Sequence, residues 1–422
     1  MILHIKMSYF DFLSLQELRD IALFSSLSSI TVYCQLSKRF NNAICNNEIF
    51  WRQKFIQDYG FVDYTGSWKE LYLNYLNIWT FGDNIYGQLG LGNFEGQTKP
   101  TIIPNFKCKY IAGGAFHTVI IDIYNNVWTF GHNTLGRLGL GLPILDSSIP
   151  VQIPNIKAKT VSTGGSHSVI IDLDDNVWVF GNNEDGQLGL GNNITVINAP
   201  TQIPNMKAKY ISAGFVHTAI VDQDYNVWTF GNNRDGQLGL GDNVNRYVPT
   251  QIPNIKARQI STGLHTVIID QNYNVWTFGN NEYGQLGLGD NVNRNAPTQI
   301  PIMKARQISA KHHTIVIDQD YNVWTFGSNE YGQLGLSDYI DRNIPKQIPN
   351  FKAKQIEAGG FHTLTLDLEN NIWAFGNNQD GQLGLGDNVN RNAPTQIPRM
   401  KAYQISSGLL HSVTLATLIR ED

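Results

Sequence analysis

NVWTFGNNEYGQLGLG, residues Asn274 to Gly289, sets an aromatic pair beside four glycines within sixteen positions. Met once, such a stretch looks like a phosphate loop or a catalytic turn. It occurs seven times. A Trp followed by x-Phe-Gly stands at Trp79, Trp128, Trp178, Trp228, Trp276, Trp324 and Trp373, at intervals of 48 to 50 residues. So even a period denotes one supersecondary unit used repeatedly, each copy relying on its neighbours to bury its faces.

Every unit runs in the same order: a KAKxIS-type segment, an apolar run opened by His such as HTVIID (265–270), a polar turn, NVWTFG, GQLGLG and a Pro-rich PTQIP. Short runs rich in Val, Ile, Trp and Phe, bounded by Asn, Asp, Gly and Pro, predict antiparallel strands joined by hairpins. No helix-period stretch occurs after about residue 77. In NVWTFG the alternation puts Trp276 and Phe278 on one face and Val275 and Thr277 on the other, while HTVIID is apolar on both. Both faces need cover. Sheets stacked radially supply it and leave only short edges, which predicts a β-propeller. The first unit begins at its Trp strand and the last ends at its His strand, HSVTLATL (411–418). The two chain ends are therefore expected to complete one blade together and close the ring.

These units resemble the regulator of chromosome condensation family, whose repeat carries a glycine-rich turn and His, an aromatic-x-aromatic-Gly strand and Asn-x-x-Gly-Gln-Leu-Gly-x-Gly. GNNEDGQLGLG (181–191), GNNRDGQLGLG (231–241), GNNEYGQLGLG (279–289) and GNNQDGQLGLG (376–386) carry the likeness, which extends over residues 77–418. It implies a seven-bladed propeller. The expected fold is mainly β, a seven-bladed β-propeller of about 50-residue repeats over 77–422, preceded by a small all-α domain and short linker over 1–76.

The repetition disposes of most tempting sites. GQLGLG lacks both GxGxxG spacing and a Walker Lys-Ser/Thr, and reads as a turn whose glycines take positive φ while its Leu fills the blade interface. His117, His167, His217, His265, His313, His362 and His411 lie at one repeat position. A catalytic His would be unique, so these are expected to be buried strand-start residues hydrogen-bonded to backbone rather than metal ligands. DQDYN (222–226 and 318–322) and DLDDN (172–176) open like a calcium loop but lack its Gly and its distal Glu. Between two strands they read as hairpin turns. The plant UV-B sensor of the same family sets its tryptophans in Gly-Trp-Arg-His-Thr, whereas GAFHT, GGSHS, GFVHT, TGLHT and GGFHT stand here without that Trp or Arg. Neither cofactor nor metal site is expected. One unit departs from the rest: ISAKHHT (308–314) puts Ala310 and Lys311 where Gly is usual, and its turn ends GLSD. An asymmetric binding surface is expected there.

Residues before the repeats read as helices. Gly is absent until Gly60 and Pro until Pro100, and Leu15, Leu18, Ile21, then Tyr33, Leu36, Phe40 and Ile44, recur at three and four around a Ser-rich break at Ser25–Ser29. The order resembles an F-box: a Leu-rich helix with Glu17, a polar break, a helix ending LSKRFNNAI, then a turn to Trp51 in IFWRQKF, without the family's initial Leu-Pro. That resemblance implies docking through Leu15, Leu18, Ile21, Leu36, Phe40 and Trp51 on a Skp-type adaptor of a cullin ubiquitin ligase. The bland alternative is a helical cap.

A net charge of −4 with no basic run argues against direct nucleic-acid binding. Cys34, Cys45 and Cys108 form no CxxC and no even set, favouring reduced thiols in the cytoplasm or nucleus, and no membrane span is expected. The layout predicts a non-enzymatic protein-interaction protein, a substrate-recruiting F-box subunit whose propeller holds an unknown target. The alternatives are a guanine-nucleotide exchange factor or regulator of a Ran-like GTPase, for which the even repeat intervals leave no wedge-sized insertion, and a scaffold without ligase link.

Overall fold

The computed structural model describes Leu18, Ala22, residues 44–59, Ser67 and residues 77–418 except 105, 144, 192 and 193. Two compact units divide the chain, Met1–Leu76 and Asn77–Asp422.

In the first unit a helix runs from Glu48 to Tyr59. Asn47 caps it: its Oδ1 accepts the N–H groups of Ile49 and Phe50 at 3.0 and 3.1 Å, and Glu48 sits where the helix dipole favours a carboxylate. Phe50 and Trp51 are buried edge to face, 5.2 Å between ring centroids. Cys45 is disulfide-bonded. That corrects the expectation of reduced thiols: an odd number of cysteines is compatible with one bridge and one free thiol, the buried Cys108.

In the second unit the described residues form seven four-stranded antiparallel blades. The expected mainly β propeller of repeats is what the chain builds. The blade holding the opening stretch shows the order outward from the axis. An inner strand ending at Thr262 pairs with His265–Asp270 through Ile260↔Ile268, which pairs with Asn274–Gly279 through Ile268↔Trp276, which pairs with the outer strand through Trp276↔Gln299. That outer strand, Arg294–Ala310, then bends and becomes the inner strand of the next blade, with Ala305 opposite Asp318. At the bend the residue is left-handed: Asn155, Asn205, Asn254, Ile302, Asn350 or Arg399, with φ between 53° and 62°. Asn tolerates that conformation because its short polar side chain bonds locally, whereas a β-branched Ile does not.

One blade is composite. Its inner two strands come from the C-terminal end, its outer two from Asn77–Gly82 and Gln97–Ile102, and the joint is the pairing of Asn77–Gly82 with His411–Leu418 (Ile78↔Leu415, Phe81↔Ser412).

The core lies between blades. Phe278 packs with Ala219, Val221 and Val227 of the preceding blade and with Ile252 and Ile268, and the half-buried Trp276 lies against them. Burying such a Phe contributes about 2–3 kcal/mol. Gly287, at φ +69°, lies so close to the next blade's Phe326 that a Cβ would sit 2.7 Å from its Cε2. The middle glycine of GQLGLG is thus demanded both by turn geometry and by ring-to-backbone contact.

Candidate functional site

Most chemically tempting groups are consumed by the repeat. Asp270 Oδ1 accepts the N–H groups of Asn272 and Asn274, and its Oδ2 accepts Asn274 Nδ2 and Trp276 Nε1 at 2.7 and 3.0 Å. Burial pushes this carboxyl up, but the hydrogen bonds from Asn274 and Trp276 outweigh it and hold the group below the usual range. The same four-bond arrangement surrounds Asp172, Asp222, Asp318 and Asp367. These carboxylates staple a hairpin. The indole of Trp79 donates instead to the carbonyl of Ala416 at 3.0 Å.

The seven histidines are completely buried. Their partners differ from the backbone groups expected: each Nε2 bonds the hydroxyl that follows the next blade's His. His117 meets Ser168, His167 Thr218, His217 Thr266, His265 Thr314, His313 Thr363, His362 Ser412, and His411 returns to Thr118, at 2.6 to 3.0 Å. Each hydroxyl donates its own proton to a backbone carbonyl of the GQLG or GRLG turn, as Thr266 does to Gln237 at 2.8 Å. The hydroxyl must therefore accept from the ring, which fixes the proton on Nε2. Burial pushes six of these imidazoles down to about 3 and His117 well below its ordinary value. They form a neutral ring of inter-blade clasps.

What remains for function is where copies differ, and one group of differences lies in the loops leading into the His strands. His312 stacks on Phe361 at 4.6 Å and 18°, and lies 5.0 Å from Phe215, while Tyr331 abuts Phe361 at 5.5 Å. Because a carbonyl only accepts, the 3.0 Å contact to Gly360 O puts a proton on His312 Nδ1. Lys311 Nζ reaches to 5.9 Å from the Phe215 ring centroid. Phe215, His312 and Phe361 belong to three different blades, so the cluster spans the mouth of the ring. A second cluster, Tyr86 stacked on His132 at 4.0 Å with Phe116 edge-on, shares that face. All these rings are half-buried. Half-buried aromatics gathered at one place are a feature enriched in protein contact surfaces.

The unit flagged by its sequence, ISAKHHT, is thus part of the densest of these irregularities. Sequence reasoning missed Tyr86, Phe116 and Phe215 because their partners lie in other repeats, and it missed Glu357, which replaces the Ser found at that inner-strand position in ISAG and ISTG. Aligning the seven KxIS segments would have shown the substitution. Of the docking residues expected in the first unit, Leu18 and Trp51 are buried, and the Trp51 indole donates to Cys45 O at 3.2 Å. Leu15, Ile21, Leu36 and Phe40 lie outside the described residues. No group of three or more His, Cys, Asp or Glu that could hold a metal occurs among the described residues, and no helix there is long and apolar enough to cross a membrane.

A ring of blades clasped by His–hydroxyl pairs defines a repeat propeller, a fold of the protein-interaction class. The chain belongs to the regulator of chromosome condensation (RCC1) repeat family, whose model matches residues 77–121, 124–171, 174–221, 225–269, 274–317, 321–366 and 369–415. A second model of the same repeat matches 158–187 and 353–382. No curated protein matches the chain by sequence. Among solved structures, human WBSCR16 is similar at 20% identity and TM-score 0.73, over 82% of this chain and all of that one. Prp20p of Saccharomyces cerevisiae, described with its binding to Gsp1p and histones, is similar at 21% identity and TM-score 0.74, over 83% and 93%. The same yeast protein with Kap60 bound gives 21% and 0.74, over 83% and 90%. At these identities the likeness establishes the fold.

Proposed function

We propose that this chain is a non-catalytic protein-interaction protein whose propeller captures a partner protein on the face bearing Lys311, His312, Phe215, Phe361 and Tyr331. The observation that carries the reading is the breaking of a sevenfold pattern at that place, with half-buried aromatics from three blades converging around one lysine.

Two finer readings name the partner. In the first, the helical unit docks on a Skp-type adaptor and the propeller holds a ubiquitylation target; the F-box-like order of the first 76 residues supports it. In the second, the propeller engages a Ran-like GTPase, a reading supported by the likeness to Prp20p, whose structure is described with its binding to Gsp1p. Co-purification with a Skp-type adaptor, for wild type and a Leu36/Trp51 double alanine variant, tests the first; failure of the wild type to bind removes it. Nucleotide release from Ran-type GTPases tests the second, and an unchanged rate with the full chain removes it. For the face itself, a photo-crosslinker at His312 should trap whichever partner is found, and one at Asn272, in the hairpin turn between a His strand and a Trp strand, should not. Equal trapping at both positions would refute the assignment.

A further inference from the structure

The axis of the ring encloses a polar cavity of about 230 Å³ lined by the inner strands. An inner strand has an unpaired edge, which this protein covers by hydrogen bonds from one blade to the next. Ser162, Ser212, Ser261, Ser309 and Ser406 each accept the N–H of the following blade's inner strand at 2.9 to 3.0 Å. Gln259, Gln307, Gln355 and Gln404 each donate to a carbonyl of the following blade at 3.2 to 3.4 Å. These side chains serve the scaffold.

Ala112 and Glu357 break the serine series, and two of the departures from the repeat are charged. Glu357 stands at the Ser position, and Lys311 stands where the other six units have glycine: Gly114, Gly164, Gly214, Gly263, Gly359 and Gly408. They are the charged residues among those lining the cavity. Among the described residues neither makes a hydrogen bond through its charged group, and none of the ion pairs includes either. Their effect on one another is at longer range: burial pushes Glu357 up to about 7 and Lys311 down, and each opposes the other's shift. Tyr110, the other titratable group in the lining, is pushed up by burial and stays a neutral phenol.

Both side chains are half-buried, so each charge is partly desolvated and gains from a partner that reaches it. An anion alone would satisfy Lys311 and be repelled by Glu357; a cation alone would do the reverse. A ligand bearing both charges relieves both. The cavity, of about 230 Å³, has room for a free amino acid.

We propose that the axial cavity binds a small zwitterion of the α-amino-acid class, its carboxylate taken by Lys311 and its ammonium group by Glu357. Lys311 belongs to both the cavity and the protein-capturing face, whereas Glu357 belongs to the cavity alone, so loss of small-molecule binding in the Glu357 variants separates this proposal from the partner-capture reading. Ionised Glu357 is required, and affinity therefore falls as pH drops below neutral.

The experiment is isothermal titration of the full chain at pH 7.5 with each of the common free amino acids, and with acetate and methylammonium as single-charge probes. Lys311→Gly and Glu357→Ser restore what the other blades carry, so the ring should fold; Lys311→Met and Glu357→Gln serve as near-isosteric seconds. At least one amino acid should bind saturably, at least tenfold more tightly than either single-charge probe. Each variant should lose at least tenfold. Absence of any binding tighter than about 10 mM overturns the proposal, as does binding that survives in both variants or is matched by acetate or methylammonium.

Discussion

Acid should unfold the propeller steeply near pH 5, and the histidine ring sets the slope. All seven imidazoles are buried and neutral, and six are held down to about 3. In the unfolded chain each has a value near 6.5, so below that pH the unfolded state binds protons that the folded state refuses. The contribution is fully present above the unfolded value and is lost as pH falls towards the folded one. Each histidine loses about 1.4 kcal/mol per pH unit, hence about 2 kcal/mol at pH 5, or about 14 kcal/mol for the ring. That equals the whole stability of an ordinary protein, roughly 5 to 15 kcal/mol. Tryptophan fluorescence and far-ultraviolet circular dichroism, followed from pH 7.5 to 3.5, should show one cooperative transition between about pH 4.5 and 5.5. Urea denaturation repeated across that window gives the protons taken up, which should approach seven. His265→Gln, which retains a side-chain donor for Thr314, should lower the uptake by one. A transition below about pH 4, or an uptake of one proton or fewer, would refute the reasoning.

Three further outcomes follow from single residues. Glu357→Ser removes a carboxyl whose folded value, about 7, lies above its ordinary one; such a group destabilises the fold increasingly as pH rises from about 4.5 to 7. The variant should be more stable than wild type at pH 8 by about 1–3 kcal/mol and no more stable at pH 4.5, by urea denaturation. Ile302→Asn should stabilise by about 1 kcal/mol, because a 98% exposed β-branched residue at φ 62° gives way to the residue four other bends use; a lower melting temperature would contradict this. Gly287→Ala forces a methyl to within 2.7 Å of the Phe326 ring at φ +69° and should cost about 2–4 kcal/mol, read as a drop in the urea midpoint.

The architecture was legible because a propeller writes its period into the chain. Trp79 to Trp373 recur at near-constant spacing, and strand pairing within a blade is local: His265 faces Gly279 and Ile268 faces Trp276. The turn chemistry of DxDxN could also be read, since Asp270 spends its oxygens within six residues of itself. What could not be read was any bond between blades. The hydroxyl that receives His265 is one repeat away, and nothing in HTVIID names it. The aromatic cluster at His312 required three loops to be brought over the ring mouth. Glu357 hid as one letter inside a strand five of whose six other copies carry Ser. In the first unit, Leu18 stands out by its spacing and Trp51 by the F-box resemblance, and both are buried, while the F-box order concerns residues mostly beyond those described.

The composite blade sets a timetable for synthesis. As the chain leaves a ribosome, the strand of Trp79 emerges first among the propeller strands, yet its inner partner comes 337 residues later, where Ala416 receives its indole. Until then the nascent protein is an arc with two unsatisfied ends, each presenting apolar edges to whatever is near. Closing a free loop of that length would cost about 5 kcal/mol in chain entropy, but stacked blades bend the arc and bring the ends round. The final strand, His411–Leu418, turns an open series of repeats into a ring with no end. Quality control of this protein is therefore concentrated in its last few dozen residues: a stop only slightly early would leave most of the blades made and the ring unlocked.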